Sequence, residues 1–152
     1  MANETKPSND LMIAHMSTIQ GVVTRFAGNS ANCKNMCLTL IAAILALLST
    51  NKETQTLKIA YAVLLLMAWM DAYYLYMERT AVNLSRDSAT KIQSGIFAYG
   101  DLYKITIGGR GWKPIWGAFK AMTSHSIWPF YGVLLTCLVV IQWYFAYFPV
   151  GK

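Results

Sequence analysis

Three long apolar stretches, separated by polar ones, dominate the chain. The clearest covers residues 57–77, is almost uninterrupted and carries one acidic residue, Asp71. A helix rises about 1.5 Å per residue, so a helix of this length covers the roughly 30 Å hydrocarbon layer of a bilayer. Residues 127–148 are similarly apolar, and residues 35–50 contain a shorter apolar run, 36–48, which needs its polar neighbours to reach the length of a crossing. The pattern therefore predicts three membrane-spanning helices.

The first two predicted spans are expected to form an antiparallel hairpin. A short polar link at residues 49–56 leaves room only for a turn between them. Small side chains in the first span permit a close helix partner, and they are Ala42, Ala43 and Ala46.

Residues 1–10 are polar, which predicts a frayed tail. Residues 11–34, between this tail and the first span, show a different helical pattern. Apolar side chains recur in steps of four and three, which predicts an amphipathic helix with one apolar seam. The seam contains Met12, Met16, Ile19, Val23 and Phe26, continues into the first span through Ser30, Cys33, Cys37, Leu40, Ile44 and Leu47, and leaves out His15. Two interpretations are open: packing within the chain or on the membrane surface, and contact between subunits.

The basic residues are distributed unequally across the predicted spans. Three lie on one side, at Lys52, Lys58 and Lys152. Ten lie before the first span or between the second and third, and they are Lys6, Arg25, Lys34, Arg79, Arg86, Lys91, Lys104, Arg110, Lys113 and Lys120. Loops rich in Lys and Arg stay on the cytoplasmic side of a membrane. The bias predicts a cytoplasmic N-terminus, a basic cytoplasmic loop at 78–126 and a C-terminus on the far side.

The basic loop contains one segment with an interfacial composition. In the sequence WKPIWGAFKAMT, Trp112, Trp116 and Phe119 alternate with Lys113 and Lys120. Aromatic and basic side chains on one short helix are typical of a helix that lies among lipid headgroups. We expect such a helix here.

Composition supports a membrane protein and offers little catalytic chemistry. Hydrophobic residues make up 55% of the chain and charged residues 13%, whereas soluble domains average about a quarter charged. His15 and His125 have no acidic or cysteine companion at metal-ligand spacing, and Cys33 and Cys37 form no second pair that would complete a zinc site. We expect no enzyme, no metal and no cofactor.

Asp71 is the residue within the spans that most needs an explanation. It lies about 10 Å inside the predicted cytoplasmic edge, where an ionised carboxylate is costly unless it meets a cation, a hydrogen-bond donor or water. On a helix it shares a face with Tyr74 and Glu78. One interpretation is a structural pair, with Lys34 or with polar groups of the neighbouring helix. The other is that it lines a water-filled path.

Three segments together resemble a known family. They are IQGVVTRFAGNS at 19–30, DAYYLYMER at 71–79 and WGAFKAMTSHSIWPFYGVLL at 116–135. In this order they are similar to small bacterial membrane effectors of two-gene anti-phage defence systems, such as the transmembrane effectors of Hailong systems. The resemblance implies an all-α, homo-oligomeric membrane protein with an amphipathic N-terminal helix and three transmembrane helices. It further implies a tetrameric ion channel in the bacterial inner membrane, regulated by single-stranded DNA or a nucleotide from a nucleotidyltransferase or signalling partner.

For a channel of this kind, two sets of residues are the candidates. The pore or gate candidates are Asp71, Tyr74, Glu78, Cys37, Leu40, Ile44 and Leu47; in a ring of subunits, Asp71 would favour cations. The candidates for contact with a nucleotide or nucleic acid are Arg25, Arg86, Lys104, Arg110, Lys113 and Lys120. Membrane topology alone also accounts for these basic residues. A membrane anchor or adaptor for a soluble partner, and a small transporter, are the alternative functions.

Overall fold

The computed structural model describes residues 7–51, 55–107 and 112–147, and this part of the chain is helical without strands. The elements are α1 (Asn9–Asn51), α2 (Gln55–Gln93), a 3-10 turn (Tyr99–Asp101), α3 (Lys113–Met122) and α4 (Trp128–Tyr147). Most of the predicted N-terminal tail and Arg110 lie outside the described residues. The prediction of an all-helical chain with three helices apolar and long enough to cross a membrane is confirmed.

The predicted amphipathic helix and the first predicted span lie on the single helix α1. Ser8 begins it by accepting a hydrogen bond from the backbone N–H of Leu11 at its Oγ (3.4 Å), which satisfies one of the free donors of the first turn. No proline occurs between Ser8 and Asn51 to interrupt the backbone hydrogen bonds. The polar and apolar parts therefore continue into each other without a break.

Two of the helices are much longer than one membrane crossing requires. With 43 and 39 residues, α1 and α2 measure about 65 and 58 Å, which is roughly twice the thickness of the hydrocarbon layer. Only their apolar parts, at 35–50 and 57–77, fit within a bilayer. If these parts cross a bilayer, the polar parts, at 9–34 and 78–93, extend beyond it. With 20 residues, α4 has the length of one crossing.

α1 and α2 pack against each other as an antiparallel hairpin along their whole length. The buried line on α1 consists of Met12, His15, Ile19, Ser30, Cys33, Cys37, Ile41 and Leu48. The apolar seam of α1 thus packs within the chain, which is the first of the two interpretations of its pattern. His15, predicted to fall off the seam, lies on it.

The buried line also departs from the predicted seam after Cys37. Leu40 and Leu47 are exposed, whereas the next residues, Ile41 and Leu48, are buried. From Met12 to Leu48 a straight helix makes about ten full turns at 3.6 residues each, so both residues lie on the same side. A strict seven-residue repeat counted from Met12 drifts by about 20° per repeat relative to that helix and reaches Leu47 instead, one residue early. α1 thus keeps the period of a straight helix, and the extrapolated seven-residue rhythm was wrong over its last part.

The small residues that allow the close approach lie on α2 rather than on α1. Ala42, Ala43 and Ala46 are exposed, contrary to the expectation that they would face the second helix. Instead, Ala60, Ala68 and Ala72 of α2 are buried in the interface. Because these side chains are small, they leave room for the larger side chains of α1.

α4 packs only lightly on α2. Its fully buried residues are Tyr131 and Leu138. Two side-chain hydrogen bonds join the helices: the Tyr61 hydroxyl donates to Gln142 Oε1 (2.7 Å), and the Tyr131 hydroxyl donates to the carbonyl of Met67 (3.3 Å). Most of the exposed side chains of α4 are apolar, as expected of a helix in contact with lipid.

Candidate functional site

A buried polar cluster joins α1 and α2 near the polar end of their apolar parts. Asp71 is 0% exposed, and the Lys34 Nζ lies 2.6 Å from its Oδ2. The Ser30 hydroxyl donates to Asp71 Oδ1 and accepts a hydrogen bond from Lys34 Nζ (3.2 Å). Lys34 contacts Oδ2 as a charge pair, since among the described residues this oxygen has no aligned hydrogen-bond donor. The three side chains form a closed ring.

A third helix reaches the same cluster. Tyr131 of α4 is buried, and its hydroxyl interacts electrostatically with the Asp71 carboxylate while donating to the Met67 carbonyl. Buried charges are costly in protein interiors unless they are paired and hydrogen-bonded. A movement of α1 or α4 relative to α2 would therefore change the pairing of the Asp71 carboxylate.

Of the two interpretations of Asp71, the structure of the single chain contains the pair with Lys34. The carboxylate has no exposed surface, so in this conformation it does not line an open path. The two candidates on the same face, Tyr74 and Glu78, are half-buried. Tyr74 contacts the ring of Tyr73 edge-on.

The other pore candidates divide between two faces of α1. Cys37 is fully buried against α2, and Ile44 is half-buried on the same hydrophobic core. Leu40 and Leu47 point outward from the hairpin. Leu40 and Leu47 are therefore available for contact with lipid or with another subunit, whereas Cys37 is not.

The candidate basic residues lie on four different elements. Arg25 on α1, Arg86 on α2, Lys120 on α3 and Lys104 in the segment after α2 are all exposed. Lys113 is the first residue of α3, and Arg110 lies outside the described residues. A single chain thus spreads these charges over a long surface.

Lys104 lines a cleft of about 490 Å³ between the end of α2 and residues 94–107, which we call the connector. The lining residues are Leu84, Asp87, Ser88, Thr90, Lys91, Asp101, Lys104 and Thr106. Lys91 Nζ donates to Asp101 Oδ1 (2.6 Å), and Oδ2 of the same carboxylate accepts from the backbone N–H of Ala98 (3.2 Å). These two hydrogen bonds lower the pKa of Asp101 below its usual value, the bond from Lys91 more strongly. Positive and negative side chains balance in the cleft.

His15 joins the connector to the hairpin through hydrogen bonds. The sequence did not predict this role. The ring is buried, and its Nδ1 accepts a hydrogen bond from the backbone N–H of Tyr103 (3.3 Å). Because a backbone N–H only donates, Nδ1 carries no proton in this arrangement, and the neutral ring donates from Nε2 to Ser88 Oγ (3.4 Å). Phe97 packs against the ring with a centroid distance of 5.4 Å.

Two further features belong to the same contact. Burial lowers the pKa of His15 below its ordinary value of 6.5, and the nearby Asp101 carboxylate opposes this shift in part. Tyr103 has a φ of 59°, in the left-handed region that non-glycine residues seldom occupy.

The spacing from Met12 to His15 to Ile19, of three and four residues, was the available signal that this histidine faces inward.

The comparisons with known proteins add no relative: no family model, curated protein or solved structure matches the chain.

Within the part that the structure describes, no group of three His, Cys, Asp or Glu side chains is arranged to hold a metal ion.

Proposed function

We propose that the chain is a membrane effector of anti-phage defence that assembles as a homo-oligomer, with four subunits as the expected number, into an ion channel of the bacterial inner membrane. Its N-terminus and the basic loop at 78–126 face the cytoplasm. A nucleotide or oligonucleotide made by a nucleotidyltransferase or signalling partner gates it, and opening depolarises the membrane. The resemblance of three segments to such effectors, the three apolar helices and the unequal charge distribution support the proposal.

The observation that carries the channel proposal is the pair between Lys34 and Asp71. A carboxylate this deep in the apolar part of a hairpin is unusual unless it has a function, and intramembrane ionisable residues commonly mark ion paths. In the closed state, the pair holds α1 against α2. In the open state, the two helices separate, Asp71 loses Lys34 and faces water, and a ring of Asp71 side chains attracts cations.

The exposed basic residues supply a surface for an anionic regulator. Arg25, Arg86, Lys104 and Lys120 are all exposed, and several chains around an axis multiply them. Contacts between such residues and phosphates weaken steeply as salt concentration rises, because bound counterions are released. Regulation by an oligonucleotide is therefore expected to be lost at high salt.

Ion flux through liposomes containing the purified protein tests the proposal. Lys34→Met removes the closing pair but keeps the carboxylate, so it should raise flux in the absence of any regulator. Asp71→Asn removes the carboxylate, so it should lower the preference for cations over anions. Lys58→Met changes an exposed lysine elsewhere on α2 and serves as the matched control.

Two outcomes would contradict the proposal, the first for the channel itself and the second for the role of the pair in gating. One is absence of flux from all these proteins, with and without a single-stranded DNA oligonucleotide, at any pH at which the protein stays folded. The other is reduced protein yield in both variants at unchanged flux per molecule, which would make the pair purely structural.

A second function, as a membrane anchor or adaptor for a soluble partner, is favoured by one observation. The polar parts of α1 and α2 are long enough to extend well beyond a bilayer, and the end of α2 forms a cleft of about 490 Å³ with the connector. An anchor predicts stable co-purification with that partner. It also predicts that Asp71→Ala leaves membrane permeability unchanged.

A further inference from the structure

α3 has two sharply different faces. Its inner face consists of Gly117, Ala118 and Ala121, which lie against the hairpin, and both alanines are fully buried. Its outer face consists of Trp112, Ile115, Trp116 and Phe119, which together line one apolar depression. The two tryptophans at this face are 76% and 71% exposed. Four large apolar side chains on one short segment are thus exposed, although the rings of Trp116 and Phe119 contact each other edge-on.

The orientation of this outer face is determined by a close contact on the inner face. A Cβ atom on Gly117 would lie 2.1 Å from Cε2 of the Tyr76 ring, so the glycine backbone rests directly on that ring. Only glycine permits this distance. With the inner face held against Tyr76 of α2, the outer aromatic face must point away from the hairpin.

The contacts of α3 also determine its level along α2. Tyr76 lies at the end of the apolar part of α2, two residues before Glu78 and three before Arg79. Just after α3, the Ser124 hydroxyl accepts a hydrogen bond from Arg79 Nη2 (2.6 Å). α3 is therefore held where the hydrocarbon layer ends and the headgroups begin.

The chemistry of the outer face suits that level. Tryptophan combines a large apolar ring with an N–H donor and concentrates at the boundary between lipid and water. Lys120 is exposed on the same helix, and a lysine at this level meets lipid phosphates. The exposed aromatic side chains also extend to the next helix, because α4 begins six residues after α3 with the exposed Trp128.

We propose that the outer face of α3 binds the headgroup layer of the same bilayer that the long helices cross. Its aromatic side chains reach toward the acyl chains, while Lys120 stays among the phosphates. α3 then couples the membrane surface to α2 through Gly117 and Tyr76. This inference does not depend on ion conduction, so it holds or fails separately from the proposed channel.

Tryptophan fluorescence of the full-length protein in phospholipid vesicles tests the proposal. Two variants keep only Trp112 or only Trp116, with the other tryptophans changed to Phe. We expect a blue-shifted emission, strong quenching by lipids brominated near the headgroup, weaker quenching by lipids brominated near the chain ends, and little quenching by aqueous acrylamide. A third variant lacks all native tryptophans and carries Tyr99→Trp in the connector; this control should emit and be quenched as in water.

Other occupants of the face give different results. If a soluble protein normally covers it, both tryptophans will emit as in water and be quenched by acrylamide in vesicles. If a second copy covers it, the emission will be blue-shifted but insensitive to brominated lipid. Either result overturns the proposal. Should the multiple replacements impair folding, Trp112→Phe and Trp116→Phe are made singly, and each must remove part of the headgroup-level quenching seen with the unmodified chain.

Discussion

Lys34 on α1 and Asp71 on α2 form a charge pair of 2.6 Å inside the hairpin, although the sequence separates them by the whole turn between the helices. Ser30, one turn before Lys34, completes the pair with hydrogen bonds to both partners. The pair favours one relative position of α1 and α2 along their axes, because sliding one helix along the other would take the Lys34 ammonium away from a buried carboxylate.

Removing one partner of this pair should destabilise the protein more than removing both. Lys34→Met leaves the Asp71 carboxylate buried and unpaired, which typically costs about 3–5 kcal/mol. The double variant Lys34→Met with Asp71→Asn should recover much of that loss. Thermal unfolding in detergent, followed by circular dichroism, measures both effects, and Lys58→Met is the exposed control. A double variant whose loss equals the sum of the losses of Lys34→Met and Asp71→Asn measured singly would show that the two residues do not interact.

Two adjacent leucines test the helical period of α1. Leu48 is 2% exposed and packs in the core, whereas Leu47 is 56% exposed. Leu48→Ala should lower the free energy of unfolding by about 2–5 kcal/mol, the usual cost of truncating a buried leucine. Leu47→Ala should have a much smaller effect on the isolated chain. Equal losses would indicate that Leu47 is also buried, as contact between subunits in the membrane would require.

The connector should loosen as pH falls. His15 lies outside the spanning parts, and burial lowers its pKa below 6.5. Well above pH 6.5 the ring is neutral in the folded and the unfolded chain, so it adds no pH dependence there. Below pH 6.5 the unfolded state binds a proton that the folded state excludes, and stability falls. A protonated Nδ1 also cannot accept the N–H of Tyr103.

Hydrogen exchange at the Tyr103 amide measures this opening. Its protection, expressed relative to the unfolded chain at the same pH, should decrease as pH falls below 6.5. His15→Gln should make the protection insensitive to pH in this range. His125→Gln changes an exposed histidine and should behave like the unmodified chain. A pH dependence that survives in His15→Gln would assign the effect to another group.

The contact between Gly117 and Tyr76 should not tolerate a larger residue. Gly117→Ala places a methyl group within 2.1 Å of the Tyr76 ring, and overpacking of this kind typically costs about 1–3 kcal/mol. Gly28→Ala is the matched control on α1, where the added Cβ meets nothing within 4 Å. There the substitution should stabilise the helix by about 0.5–1 kcal/mol. In a Tyr76→Ala background, Gly117→Ala should no longer be destabilising if the ring is the cause.

The sequence alone determined the number and type of the long helices. Apolar stretches such as 57–77 leave few alternatives, because a backbone in lipid must satisfy its hydrogen bonds internally and helices do so locally. Local periodicity also predicted that Met12 and Ile19 face inward, although it placed His15 off the buried face. These features depend on residues close together in the chain.

Tertiary structure decided which long-range partners meet. Lys34 was one of several possible partners of Asp71, and only the packing of α1 on α2 selected it. The same packing moved the buried line from Leu47 to Leu48, because small angular differences per turn accumulate over a helix of 43 residues. It also placed His15 under the connector, a contact with Tyr103 that no local pattern encodes. The relative position of distant segments depends on side-chain packing between helices, and the periodicity of one helix carries no record of it.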